Sequence, residues 1–440
     1  MKAPLVSWLM SVYNSGKTVG RAIDSMLDQT YQNFEAVIII EHGCADNTMQ
    51  VCAKYAKNDS RIQVIQNNDR LGLAPSLNLG LDLCKGRYIA RIDGDDANHP
   101  ERLEKQVEFM EKNPDIGVLG TACRAINPSG TYVTAPPSRN EDISASLLFS
   151  TCFAHPTIML RAELFRSNNW KYPICVSEDY ALWASLLFKT KMANLTDPLL
   201  DYNTHDEALT STNFMKCRAD SARISRETLQ RELHLDTSDY PDAYFGWRSK
   251  YPFPQNIERY LIDGARLLKE VQYANKRLQK FDNQALYSVL SDQWRLTKRD
   301  VLLSSLETGF EEFLPDDICG IISDADSICA TICNKVIIYG TGQYCADLID
   351  KTQNKRLWDI LAFCDSDPSK HGTEFYGKII IAPEQISNYS YDYIIITSQI
   401  YWYEIRNILL RDYLIPKEKL VSLSMPVGDV LNCLNPLIGL

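Results

Sequence analysis

The sequence of 440 residues predicts an α/β protein in three parts, and three observations lead there. Its length exceeds what one hydrophobic core ordinarily organises. From Leu5 to about Thr121, and again from Lys335 to about Leu423, apolar strand-like runs alternate with amphipathic helical stretches, the pattern of a mostly parallel sheet covered by helices. Between about Phe214 and Cys333 the apolar period is helical. The expected domains are a sheet domain over 1–213, a helical linker or small helical bundle over 214–333, and a smaller α/β domain over 334–440.

In the first part the strands fall on LVSWLMSV, FEAVIII, IQVI and RYIARI. Helices are expected from near Ser15, Asp46 and Ala74, with Asp46 as an N-cap, and another after Pro100, where proline suits a first turn. From Gly120 to about Asn213 the pattern loosens into a Pro-rich loop, a short helix, a strand at TIMLR and an amphipathic helix at EDYALWASLLF. LIDGARLLKEVQYANKRLQKF and NQALYSVLSDQWRL are the clearest helices of the middle part. KVIIYGTGQYCADLID, LAFCDSD and YDYIIITS mark the last domain.

Composition narrows the function. A net charge of −10 argues against nucleic acid as a partner, because no basic patch is available to neutralise phosphates. Thirteen cysteines without a C-x-x-C pair read as buried thiols of a reducing cytosol, without structural disulfides. The first residues run straight into a patterned strand and turn, so a cleaved leader is not expected. No stretch reaches the ~18–20 apolar residues of a spanning helix. The expected location is cytoplasmic, with peripheral contact at the inner face of the membrane left open, as is the oligomeric state.

RYIARIDGDDANHPERLEKQV sets Asp93, Asp95 and Asp96 at the carboxyl end of an apolar strand, where open α/β sheets place their ligands. Carboxylates gathered there repel one another without a cation, and hard oxygen ligands suit Mn²⁺ or Mg²⁺. The bare D-x-D pattern decides nothing, since it recurs at Asp324 with Asp326 and at Asp365 with Asp367. Only the first copy follows four strand-helix units and precedes a Pro-Glu-Arg-Leu helix start; a solvated acidic turn is the competing reading. A second acidic pair, Glu178 and Asp179, opens the helix EDYALWASLLF, although acids at helix starts also occur for dipole reasons alone.

VSWLMSVYNSGKTVGRAIDSMLDQTYQNFEAVII, NDRLGLAPSLNLGL and ARIDGDDANHPERLEKQ, in that order, resemble the family 2 glycosyltransferases of GT-A fold over about the first 210 residues. The resemblance implies a metal-dependent, inverting transfer from a nucleotide-diphospho-sugar to a hydroxyl of a saccharide or lipid-linked saccharide acceptor in surface-polysaccharide assembly. It implies Asp96 as main metal ligand and Asp95 near metal or ribose, with Asp93 and Gly72 on the donor side. Asp179 is the implied general base, with Glu178 supporting it or binding acceptor. His205 and His155 match positions where the family often carries histidine, which suggests a metal or phosphate role for His205 and an acceptor-pocket or structural role for His155. The family's V-D-D-G-S-x-D reads Ile40-Glu41-His42-Gly43-Cys44-Ala45-Asp46 here. His42 then occupies the base-reading position, which puts the usual uracil in doubt, and Glu41 is a further candidate for the nucleotide.

In the last domain Gly340 and Gly342 follow a strand and open a helix, as a phosphate-cradling turn does, with Cys345 where a third glycine is expected. Asp365 ends the second strand, the place of a ribose-binding acid. FCDSDPSKHGTEFYGKIIIAPEQI resembles the Rossmann-like modules attached to bacterial polysaccharide-biosynthesis enzymes. A non-catalytic sugar-nucleotide-binding protein, and a bifunctional protein with a nucleotide- or NAD-binding C-terminal module, are the alternative readings.

Overall fold

A computed structural model describes residues 4–127, 130–203, 213–246, 257–308, 335–343, 345, 346, 349, 359–391, 393–397, 402–415 and 419–422. The first part begins with β1 (Val6–Val12), α1 (Val19–Leu27), β2 (Phe34–Ile40), α2 (Thr48–Asn58), β3 (Ile62–Gln66), α3 (Leu73–Leu83) and β4 (Tyr88–Arg91). It continues through β5 (Ala97–Asn98), α4 (Arg102–Lys112), β6 (Ile116–Asn127), β7 (Gly130–Val133) and α5 (Asn140–Ser146). A 3₁₀ turn at His155–Thr157, β8 (Met159–Arg161), α6 (Ala162–Ser167), α7 (Glu178–Ser185), β9 (Lys191–Asn203) and α8 (Phe214–Leu233) complete it.

The nine strands form one mixed sheet in the order β3-β2-β1-β4-β8-β6-β9-β5, with β7 beside β6. β3, β2, β1 and β4 are mutually parallel, β8 runs against β4 and β6, and β9 is parallel to β6. Alternate residues of each strand feed two cores, because successive side chains leave opposite faces of a sheet. Val6, Trp8, Met10 and Val12 pack with Leu103, Val107 and Met110 of α4, whereas Leu9, Val37 and Ile39 pack with Leu77 and Leu81 of α3. Gly80 lets α3 press on β1, since a Cβ there would lie 2.1 Å from Leu9 Cδ1.

Two differences from the sequence reading stand out. β6 and β9 pair along most of their length where the pattern reads as loosened loop. Register shifts within β6, Gly117 and Gly120, and Pro198 in β9 break the alternation by which strands are recognised. The first compact unit also runs through Thr237, so it includes α8 rather than closing at 213. Ile224 of α8 sits in the core with Trp183 and Leu182, and Ser225 donates to the Leu148 carbonyl at 2.7 Å, so that helix is a piece of the first core.

In the second unit, the helices Ile257–Leu278 and Asn283–Thr308 pack together, with the Tyr260 hydroxyl donating to Asp300 at 2.8 Å. A smaller sheet follows, formed by β10 (Lys335–Tyr339), β11 (Asp359–Cys364), β12 (Glu374–Phe375), β13 (Lys378–Ile381), β14 (Tyr393–Ile396) and β15 (Leu420–Ser422). Its order is β12-β13-β11-β10-β14-β15, parallel except at β12. Among the described residues no helix is long and apolar enough to cross a membrane.

Candidate functional site

β1, β2 and β4 run parallel in register, Val12 beside Ile40 and Leu9 beside Arg91, so their carboxyl ends open on one sheet edge. The loops there are zipped together. Asn14, at φ 51°, accepts from the Ala45 amide through its side-chain oxygen at 2.8 Å, and Asp46 accepts from the Gly16 amide at 2.7 Å. Gly16 has no room for a Cβ, which would lie 2.1 Å from Asn47 Oδ1.

Glu41, a candidate for the nucleotide, is turned inward and is buried. Its carboxylate accepts from the amides of His42 at 2.9 Å, Leu71 at 3.0 Å and Gly72 at 2.5 Å, and from the Asn67 side chain at 3.2 Å. Burial alone would raise its pKa, but these hydrogen bonds lower it on balance, so Glu41 is an ionised internal tie. This corrects the reading of Glu41 as a donor contact: its oxygens are already occupied. Gly72 adopts φ +87° ahead of α3, a conformation that glycine permits, with its amide held by Glu41. His42 is exposed at the same rim.

The acidic trio converges, with one ligand oxygen from each of Asp93, Asp95 and Asp96 lying within 4.8 Å of the others. Asp96 is fully buried; its Oδ1 accepts from the Asn203 amide at 2.9 Å, and its Oδ2 has no hydrogen-bond partner. Asn203 also donates to the Asp95 carbonyl at 2.8 Å, as does Arg21 at 2.5 Å. Burial first, and then mutual repulsion, push Asp96 well above the ordinary carboxylate range; burial pushes Asp93 up to about 6 against the opposing pull of Arg91. Hard oxygens, an orphaned buried carboxylate oxygen and unrelieved negative charge fit a divalent cation. His205 lies outside the described residues.

Arg91 is the residue that sequence reasoning passed over. Its side chain is 4% exposed and binds Asp93 through both terminal nitrogens, one at 2.6 Å. Its charge also acts on Asp96, Glu178 and Asp179, so one guanidinium serves both acidic groups. Arg102, fully buried, donates to the Arg91 carbonyl at 2.8 Å and to Asn98 at 2.5 Å, which holds the strand end from below. An arginine two residues before the acidic run was a visible signal, but it read as a strand residue.

Glu178 and Asp179 begin α7, whose entry is fixed by Asp220 of α8 accepting from the amides of Val176 at 3.0 Å and Ser177 at 2.9 Å. Glu178 is buried and Asp179 half-buried. Burial raises both; Glu178, also repelled by Asp179, reaches about 8. His155 places Nδ1 3.7 Å from Glu178 Oε1 and Nε2 3.0 Å from the Tyr172 hydroxyl. Tyr172 in turn is pinned to α3 by Asn78, whose amide donates to its carbonyl at 2.8 Å and accepts from its N–H at 2.8 Å. Ile174, 83% exposed, and Val176 stand on the loop just before this pair.

In the last domain Asp365 is held by its own loop. Its carboxylate accepts from the Thr341 amide at 3.0 Å, from the Thr341 hydroxyl, from Lys370 at 2.8 Å and from the Asp367 amide at 3.0 Å. Three of these donors share one oxygen, and the other oxygen accepts from the Asp367 amide. Gly340, at φ +99°, makes the turn, Gly342 borders open space, and Cys345 is buried.

The pattern of Glycosyl transferase family 2 matches residues 7–168, and that of the C2185-like N-terminal family matches residues 332–421. An uncharacterized glycosyltransferase of Haemophilus influenzae is 31% identical over 245 residues, covering 52% of this chain and 75% of its own. The O-antigen biosynthesis glycosyltransferase WbnJ of Escherichia coli is 34% identical, covering 46% and 81%; the putative glycosyltransferase EpsE of Bacillus subtilis is 34% identical, covering 54% and 86%. Among solved structures, that of S. aureus TarS 1-349 in complex with UDP-GlcNAc covers 73% of this chain and 91% of its own at 16% identity and a TM-score of 0.43.

Proposed function

Since this chain belongs to glycosyl transferase family 2 and is a glycosyltransferase, we propose that it transfers a sugar from a nucleotide-diphospho-sugar to an acceptor hydroxyl with inversion at the anomeric carbon. The observation that carries this reading is the gathering of two acidic groups, one at the end of β4 and one at the start of α7, around the buried guanidinium of Arg91.

In this reading Asp179, the more exposed member of its pair, removes the proton from the acceptor hydroxyl. The acceptor oxygen bonds to the anomeric carbon as the bond to the diphosphate oxygen breaks on the opposite face. Asp96 and Asp95 would hold a Mn²⁺ or Mg²⁺ ion, with His205 as a further ligand, and the bound ion would neutralise the departing diphosphate. Asp93, locked by Arg91, lines the donor side, and His42 at the exposed rim reads the base. Ile174 and Val176, exposed beside Asp179, suit an acceptor with an apolar portion, as a lipid-linked saccharide has. The similarity to WbnJ, named for O-antigen biosynthesis, supports a surface polysaccharide as the destination. The C-terminal domain is given a structural, docking or oligomerising role ahead of nucleotide binding, since Asp365 already holds Thr341 and Lys370.

The test pairs donor and base. Thermal-shift screening of UDP-, GDP-, CMP- and dTDP-sugars with Mn²⁺ identifies the donor, since a ligand of the native state raises stability by mass action. Asp179→Asn should then retain the donor shift and lose sugar transfer. Wild-type rates of transfer by a folded Asp179→Asn protein would overturn the mechanism, and the absence of any donor shift would favour a pseudoenzyme.

A further inference from the structure

Glu178 is a second buried acid beside the base, and the mechanism leaves it without a proton-transfer role. It is 6% exposed, and it adjoins Asp179 at the start of the same helix. The nearby cation, Arg91, is committed through both terminal nitrogens to Asp93. Glu178 instead approaches an imidazole, with His155 Nδ1 3.7 Å from its Oε1. That imidazole is enclosed: its Nε2 lies 3.0 Å from the Tyr172 hydroxyl, and its ring packs against Tyr172 and Trp183 at centroid distances of 5.2 and 6.2 Å. Two neighbouring carboxylates at a partly closed site cannot both ionise cheaply, and the more buried one keeps its proton.

We propose that Glu178 functions as a neutral carboxylic acid, a positioning residue whose O–H is directed at Nδ1 of His155, so that Asp179 is the single anion of the pair. The inference rests on Asp179 being the base. No proton leaves Glu178 in the reaction: its O–H faces the Nδ1 lone pair, and the Nε2–H of the neutral imidazole faces the Tyr172 oxygen. Burial, with Arg91 alongside, holds His155 well below its ordinary pKa, in keeping with a neutral ring. Burial first and Asp179 second push Glu178 up to about 8. The titratable and charged groups around it are Asp179 on its own helix, His155, Tyr172, Arg91 with Asp93 at the end of β4, and Cys175 and Cys217. Burial separates the labour: Asp179, the more exposed of the two, carries the charge, and Glu178, enclosed beside His155, adds no second one.

The test needs neither donor nor acceptor. A neutral acid in the folded protein ionises when the chain unfolds above about pH 4.3, so it removes stability as pH rises toward its folded value. Glu178→Gln keeps the shape and the neutral hydrogen-bonding group but cannot ionise. Melting temperatures of the full-length wild type and Glu178→Gln, measured from about pH 5 to pH 8, should diverge, with the gap moving at least about 5 °C in favour of Glu178→Gln. In the infrared, the wild type at neutral pH should show the carbonyl stretch of a protonated carboxylic acid, and Glu178→Gln should lack that contribution. A constant melting gap, or infrared difference spectra showing only the loss of a carboxylate band, would overturn the proposal. Sugar transfer by Asp179→Asn would instead refute the base assignment and leave the melting comparison unaffected, so the two failures are distinguishable.

Discussion

Replacing Asp96 with asparagine tests the cation site at its deepest member. In the metal-free protein this carboxylate is fully buried, with one oxygen held by the Asn203 amide and the other without a partner, beside Asp93 and Asp95. Burial and the neighbouring Asp93 and Asp95 disfavour a charge here and act far less on an amide of the same shape, so Asp96→Asn should stabilise the protein in chelator by about 1–3 kcal/mol. A cation at a hundred times its dissociation constant stabilises the wild type by about 2.7 kcal/mol. For a unit of this size each kcal/mol shifts melting by about 2–4 °C, so Mn²⁺ should raise the wild-type transition by about 5–10 °C. In Asp96→Asn the rise should fall below about 2 °C while the metal-free transition moves up by about 2–10 °C. Differential scanning calorimetry in chelator and in graded Mn²⁺, with and without UDP or GDP, measures both shifts. An equal Mn²⁺-dependent rise in the two proteins, or none in the wild type with any nucleoside diphosphate, refutes Asp96 as the principal ligand.

Other consequences follow from the same geometry. Asp179→Asn should lower kcat by about 10²–10⁴-fold with donor affinity preserved, read from initial rates and donor titration. Arg91→Met should cost about 1–3 kcal/mol in a denaturant melt, because it removes both hydrogen bonds from the partly exposed Asp93 carboxylate. Glu41→Gln should weaken donor binding by loosening the Leu71–Gly72 turn. It should also flatten the acid limb of the stability profile: Glu41's depressed folded pKa supplies stability above its unfolded value that is lost as pH falls through the folded one. Gly80→Ala, with its new methyl 2.1 Å from Leu9 Cδ1, should destabilise by about 1–3 kcal/mol in chemical denaturation, and trimming Leu9 to Ala should change the cost of that methyl.

Much of the site is legible in the sequence. Asp93, Asp95 and Asp96 follow an apolar strand directly, so chain direction alone carries them to the carboxyl edge of a parallel sheet, and Glu178 with Asp179 begins a helix whose apolar face is plain in the sequence. Arg91, Asn203 and Tyr172 were not legible as site residues. Arg91 occupies a strand position that pattern reading assigns to packing, and Asn203 acts on Asp96 through its main-chain amide, which carries no residue-type signal.

The sequence by itself determined the strand-helix alternation of both sheet domains, the acidic constellation and the resemblance to its family, because these depend on local periodicity and on motifs contiguous in the chain. Only the tertiary structure decided how charge is shared among the acids. Glu41 and Asp365 look alike in the sequence, each an acid at a strand end, and both prove to be spent on backbone amides and neighbouring side chains. Asp96 and Glu178 are the acids that burial, and then a neighbouring carboxylate, push above the ordinary range. The physical reason is that a carboxylate's proton affinity is set by desolvation and by donors brought from distant parts of the chain, Asn203 for Asp96 and Leu71 and Gly72 for Glu41, and no spacing along the chain encodes those encounters.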